Sequence, residues 1–238
     1  MPINAVERLE WDSQFFGYPV ARIVFDHQGC DNLDDLFKQL ISEKPRVTYF
    51  FVPASEKKLN KLIAKKNCIL VDQKTLFHKT TEKHAQFYNN IIEFQGTEIS
   101  DKLINLGLQA GLFSRFHIDV NFYNKEYESL YIEWLTKSLN KTLATKTFIT
   151  RKDRDIVGFT TLGERSGYAD IGLVAVDENF RGQGMAYDLI RFADNASFDL
   201  GYSEIKVVTQ LQNKAACKLY EKCNFQIENI TNIYHYWQ

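Results

Sequence analysis

Apolar and polar positions change period along this chain often enough to mark out most of its elements. Val20-Ala21-Arg22-Ile23-Val24-Phe25 alternates and predicts a strand. Leu33, Leu36, Phe37, Leu40 and Ile41 return at helical spacing, so a helix is expected over Asn32 to Glu43, with Asp31 or Asn32 as its cap. Arg46 to Val52 reads as a strand closed by Pro53, Glu56 to Lys66 as a basic amphipathic helix, and Cys68 to Val71 and Leu76 to His78 as two further strands. This βαβαβ-like order resembles half of an α/β sheet.

Thr80 to Asn90 is polar and lacks a period, which predicts a linker. Division there gives an N-terminal α/β domain over residues 1–85 and a second domain over residues 86–238. The second is expected to open with a strand at Ile91 to Phe94, then helices at Ser100 to Gly111 and Asn124 to Asn140, then strands at Thr147 to Thr150 and Asp155 to Leu162. Ile171 to Val176 is short, β-branched and bounded by Asp177-Glu178-Asn179, as a buried strand would be. Past Ala186 the period becomes helical, with Leu189, Ile190, Ala193 and Ala196. Ile205 to Thr209 reads as a strand and Lys214 to about Lys222 as a helix capped by Asn213.

Composition narrows the class. The 238 residues are 45% hydrophobic and 25% charged, ordinary for a globular protein, and allow one to two domains. A net charge of −1 offers no field for a nucleic-acid backbone. No apolar run is long enough for a bilayer, and Met1 to Val6 does not read as a signal peptide. Cys30, Cys68, Cys217 and Cys223 have neither disulfide-framework nor metal-ligand spacing, so reduced thiols in a cytoplasm are expected and no metal site.

The chemistry concentrates at Arg181-Gly182-Gln183-Gly184-Met185-Ala186, between the strand ending at Val176 and the helix that follows. Unpaired N–H groups at a helix start favour an anion. Glycine lets a phosphate approach the backbone closely, and Arg181 adds a planar cationic fork. A tight strand-to-helix turn can also need glycine for geometry alone. The phosphate-loop and dinucleotide patterns do not fit here.

The run Arg181-x-x-Gly184-x-Ala186 after Val174-Ala175-Val176 resembles the signature of the GCN5-related N-acetyltransferases. Downstream, Asn213, Ala216, Tyr220 and Phe225 resemble that superfamily's second run, with Asn224 where glycine is usual. Asparagine tolerates the left-handed conformation of a helix C-cap, so the departure leaves the geometry intact. The resemblance implies an α/β (α+β) fold, a mixed central sheet flanked by helices, preceded by a smaller, partial version of the same domain. It implies an acyl-coenzyme A co-substrate held by Val174, Val176, Arg181, Gly182, Gln183, Gly184, Met185, Ala186 and Asn213. It also implies direct attack by an amine, with the Val174 backbone N–H on the thioester oxygen and Tyr220 as general acid.

Two further stretches, Leu9 to Gly17 and Leu112 to Asp119 with Phe122, Tyr123, Tyr131 and Trp134, look like the nucleotide-sugar N-acyltransferase branch, typified by the dTDP-fucosamine acetyltransferase. That resemblance implies a dTDP-linked amino sugar as acceptor, destined for surface polysaccharide. It implies Trp11, Phe16, Ser114, Arg115, His117 and Asp119 as the residues that face it. Core packing of the aromatics, and an ion pair from Arg115 to Asp119 or Glu126, are the plain structural alternatives. The acyl group is acetyl or a larger one such as 3-hydroxybutanoyl, and the general base is Asp119, His117 or a water chain. A homodimer is compatible with the sequence, as is a protein or small-amine acetyltransferase, or a non-catalytic coenzyme A-binding module.

Overall fold

The computed structural model describes residues 4–26, 32–87 and 89–238. Cys30 and Asp31, one of the two caps expected for the first long helix, lie outside them. The chain divides into two compact units, Met1–Thr75 with Asn229–Gln238, and Leu76–Glu228.

The first unit runs β1 (Glu7–Arg8), α1 (Glu10–Phe16), β2 (Val20–Val24), α2 (Leu33–Glu43), β3 (Val47–Pro53), α3 (Lys57–Ala64) and the start of β4 (Ile69–Thr80), and ends with most of β10 (Gln226–Trp237). β2 and β3 are parallel, joined through α2, and β10 lies antiparallel to β3 with Tyr234 opposite Phe50. Helices α2 and α3 bury Leu36, Phe37, Leu40, Leu59 and Ile63 on Ile23, Phe50, Val52 and Tyr234. Asn60 ties the layers, because its Oδ1 accepts from Asn232 Nδ2 at 2.7 Å and from the Tyr234 hydroxyl at 2.9 Å.

The second unit continues with β5 (Ile91–Glu93), α4 (Asp101–Ala110), α5 (Arg115–Ile118), α6 (Glu126–Leu139), β6 (Lys146–Lys152), β7 (Asp155–Arg165), β8 (Tyr168–Val176), α7 (Met185–Asp199), β9 (Glu204–Gln210) and α8 (Lys214–Lys222). Strands β5 to β8 pair antiparallel in chain order, and β9 joins β8 in parallel. The sheet is therefore mixed, as expected. Leu189, Ile190 and Ala193 of α7 pack on Phe148, Leu162, Ile171 and Val207, whereas Leu103 and Leu106 of α4 and Leu135 of α6 pack on Ile149, Ile156 and Phe159. Leu189, Ile190 and Ala193 are among the apolar positions whose spacing predicted α7.

Two expectations change. The strands foreseen at Cys68 to Val71 and Leu76 to His78 are one strand, β4, because the intervening Asp72 and Thr75 are buried polar residues that an apolar pattern does not count. Asn32 does precede α2, but its side chain makes no cap hydrogen bond.

Candidate active site

Among the described residues the β8–β9 ladder runs from Ala169 opposite Ile205 to Ile171 opposite Val207, and stops there. Both strands continue, to Val176 and Gln210, so they diverge. The register between β7 and β8 shifts at the same level. Thr160 faces Val174 and Leu162 faces Ile171, which leaves Thr161 opposite both Gly172 and Leu173. Thr161 Oγ1 fills the bulge by accepting the Leu173 N–H at 2.8 Å, and a Cβ on Gly172 would lie 2.8 Å from that oxygen. At the far end Asp177 N–H donates to the Val157 carbonyl at 2.8 Å. Successive N–H groups of a strand point to opposite edges. With Leu173 and Asp177 directed at β7, the N–H groups of Val174 and Val176 face the edge from which β9 has parted. That edge is a slot of main-chain donors, at the two residues expected to hold a thioester arm.

Beyond Val176 the chain makes one tight turn, Glu178–Phe180, capped by Asp177, and reaches the glycine loop. Gly182 and Gly184 have φ of 79° and 77°, the left-handed region that side-chain-bearing residues avoid. A Cβ would meet nothing within 4 Å at Gly182 and only Asn89 Nδ2, at 3.8 Å, at Gly184. The glycines are thus required by backbone angle, and they leave the approach open. Gly184 caps α7, whose first helical bond runs from Asp188 N–H to the Gly184 carbonyl at 3.0 Å. The N–H groups of Met185, Ala186 and Tyr187 precede it and have no helical acceptor. Arg181 is also tied into the loop's own frame. Its Nε donates to the Val176 carbonyl at 3.0 Å and its Nη2 to Gln109 Oε1 at 2.9 Å, so it fastens the loop to β8 and to α4.

Helix α8 follows β9 and packs on it and on α7. Asn213 Oδ1 accepts the Ala216 N–H at 3.1 Å, the cap that its spacing predicts. At the opposite end Asn224 has φ 65°. Phe225 N–H reaches the Tyr220 carbonyl and Asn224 N–H the Glu221 carbonyl, both at 3.0 Å, which is a Schellman motif with asparagine in glycine's place. The Tyr220 and Phe225 rings, 6.0 Å apart, make its accompanying hydrophobic contact. Tyr220 is buried, tilted against Phe77 at 5.5 Å. Burial pushes its phenol pKa well up, and the neighbouring Cys223 and Cys217 add to the rise, so it holds its proton at neutral pH.

The residues expected to face an acceptor are in two places. Trp11 and Phe16 belong to the first unit, where Trp11 stacks on Phe15 at 4.9 Å and Phe16 on Tyr18 at 5.8 Å. Ser114, Arg115, His117 and Asp119 share α5 and its ends in the second. Ser114 is buried and caps α5 by accepting the Phe116 N–H at 3.3 Å. Asp119 is buried and accepts from both nitrogens of Asn121, at 3.0 and 2.8 Å. Arg115 lies over the Phe116 ring at 4.3 Å, and the exposed His117 packs on Tyr127 at 4.6 Å. Ser114 and Asp119 therefore hold the backbone, and Arg115 and His117 keep the more exposed positions.

The polar segment from Thr80 to Asn90 was expected to be a linker. Instead its described residues bond to α7 from Asp188 to Asp199. Thr81 Oγ1 donates to the Tyr202 carbonyl, and Lys79 Nζ lies 2.8 Å from Asp194 Oδ2 and 2.5 Å from Glu82 Oε1. His84 Nε2 lies 2.7 Å from the same Asp194 oxygen, and Arg191 donates to the Gln86 carbonyl at 2.8 Å. Glu82, His84 and Asp194 are close enough to share a cation, and the Lys79 ammonium supplies that charge. One signal was available: Asp188, Arg191, Asn195 and Asp199 recur every three or four residues along α7.

Residues 102–225, just over half of the chain, match the acetyltransferase (GNAT) family. The chain is similar to the streptothricin acetyltransferase of Escherichia coli, 32% identical over an alignment of 100 residues that covers 36% of this chain and 58% of that protein. It is also similar to the spore coat polysaccharide biosynthesis protein SpsD of Bacillus subtilis, 24% identical over 124 residues, 52% of this chain and 43% of that protein. The matches thus span about half the length of these relatives. A GCN5-related N-acetyltransferase from Sphaerobacter thermophilus superposes with a TM-score of 0.62 over 98% of this chain and 76% of that one, at 14% identity. Family match, diverging β8 and β9, and glycine-started α7 agree: the chain belongs to the acetyltransferase (GNAT) family.

Proposed function

We propose that the protein transfers an acyl group from an acyl-coenzyme A to the amino group of a dTDP-linked amino-dideoxy sugar, a step in surface-polysaccharide synthesis in the cytoplasm. The observation that carries the transfer reaction is the pair of outward N–H groups on Val174 and Val176, beside the open first turn of α7. In this reading the turn holds the coenzyme's phosphates, and the pantetheine arm lies along β8. The amine attacks the thioester carbon, the Val174 N–H steadies the oxygen as it gains charge, and Tyr220 gives its proton to the departing thiolate. Arg115 and His117 are the acceptor-side candidates that remain the more exposed of the four on α5. The similarity to SpsD, a polysaccharide biosynthesis protein by name, supports a sugar acceptor.

A second reading has a small amine as the acceptor, and the similarity to a streptothricin acetyltransferase favours it. One screen decides between them. The purified protein is incubated with acetyl- or 3-hydroxybutanoyl-coenzyme A and with dTDP-3-amino sugars, dTDP-4-amino sugars or streptothricin, and products are weighed by mass spectrometry. An acylated sugar nucleotide is expected. Acylated streptothricin with no sugar product would replace the first reading by the second.

A further inference from the structure

The glycine loop has a support that its own sequence does not contain. Asn89, in the segment bonded along α7, places its side chain against the loop. Its Nδ2 donates to Asp188 Oδ2 at 2.8 Å and to the Gln183 carbonyl at 3.4 Å, and its own backbone N–H donates to the same Asp188 oxygen at 2.9 Å. An amide nitrogen has two protons, so both side-chain bonds are made at once. Asp188 grips Asn89 through two donors and fixes which way the amide points. In a trans peptide the N–H points opposite to the C=O. Holding the Gln183 carbonyl from one side therefore aims the Gly184 N–H out of the other. The glycines need this, because residues at positive φ without side chains are the most readily reoriented.

Asp188 is in the first turn of α7, where a carboxylate at the mouth would compete with a phosphate for the helix's positive end. Its side chain is only 1% exposed, with Arg191 Nη1 3.9 Å away, so it sits under the turn and not in front of it.

We propose that Asn89 and Asp188 are positioning residues for the phosphate-binding loop: Asp188 orients Asn89, and Asn89 holds the Gln183–Gly184 peptide with its N–H toward the coenzyme's pyrophosphate. The inference rests on the acyl-coenzyme A reading above, and it adds residues outside the loop that set its affinity.

The test compares two ligands in direct binding measurements: acetyl-coenzyme A, and S-acetylpantetheine, which has the thioester arm but no phosphate. Asn89→Ala is expected to weaken acetyl-coenzyme A by about fivefold to tenfold, the worth of one hydrogen bond, and to leave S-acetylpantetheine within about twofold. Lys83→Ala removes an ion pair to Asp199 at the far end of the same segment and should leave both ligands unchanged. Asn89→Ser, too short to reach Gln183, decides by the same criterion if the alanine variant does not fold. Unchanged acetyl-coenzyme A affinity, or equal losses for both ligands, would overturn the positioning role while leaving the function reading standing. Failure of the unaltered protein to bind acetyl-coenzyme A would bring down the function reading, and this inference with it.

Discussion

Tyr220 shows how one residue carries both a structural and a chemical assignment. Its ring is core: it packs on Phe77 and closes the α8 C-cap against Phe225. Its hydroxyl is what the reaction would use, and burial keeps that hydroxyl protonated. The two roles separate cleanly on removing one oxygen. Tyr220→Phe keeps both ring contacts, so its melting temperature should stay within a few degrees of the parent. If the phenol is the general acid, turnover falls by about 100-fold, within the usual worth of a positioned proton donor, with little change in KM. Wild-type turnover in the phenylalanine variant would retire the acid role. Arg181 has a structural part beside the phosphate contact that its motif position implies: its Nε and Nη2 donate to the Val176 carbonyl and to Gln109 Oε1. Side-chain type was legible in the sequence; the partner Gln109, 72 residues away, was not.

At the scale of elements, the segment 81–89 and helix α7 depend on each other. At the end of β4 Lys79 pairs with Asp194 of α7, their side chains 6% and 1% exposed, and with the more exposed Glu82 of the segment. Burial alone would lower the Lys79 pKa, but its bonds to Asp194 and Glu82 outweigh this and the net shift is upward. The bond from Lys79 in turn lowers Glu82. A raised lysine pKa contributes stability that is complete below its ordinary value of 10.5 and is lost as pH rises through the folded value. A lowered carboxylate pKa contributes stability present above 4.5 and lost as pH falls through the folded value. Lys79→Met should therefore remove both limbs of this pH dependence. At neutral pH it should cost about 3 kcal/mol, because Asp194 stays buried without its cation. Thermal melts of the two proteins at acid, neutral and alkaline pH check this; parallel curves across the range would contradict it. The sequence displayed this segment as polar and aperiodic, correctly, yet several of its polar groups also bond to α7. Lys79 and Asp194 are 115 residues apart, and no local pattern links them. Asn213 and α8 were legible because cap, helix and C-cap are all contiguous.

For the molecule as a whole, the two units are not consecutive pieces of chain, because the last ten residues complete the first unit. The stretch Gln226 to Trp237 was not marked as a strand in the sequence. It mixes Asn229, Thr231, Asn232 and His235 with its apolar residues, and the buried Asn232 finds its partner in Asn60, 172 residues away. Once in place, β10 pairs with β3 from Thr231 opposite Pro53 to Trp237 opposite Val47, and it buries Ile233, Tyr234 and His235. Truncation after Glu228 would strip β3 of that ladder and open the core beside Phe50. A unit of about 80 residues has no such margin, since a full hydrophobic core of that size supplies only about 3–5 kcal/mol. Hydrogen exchange on the truncated chain should therefore show lost protection in β2 and β3. Protection should persist in β6, β7 and β8, whose ladders are made within the second unit. The opposite pattern, with β2 and β3 still protected, would mean that the parallel pair and its two helices hold the first unit without its C-terminal strand.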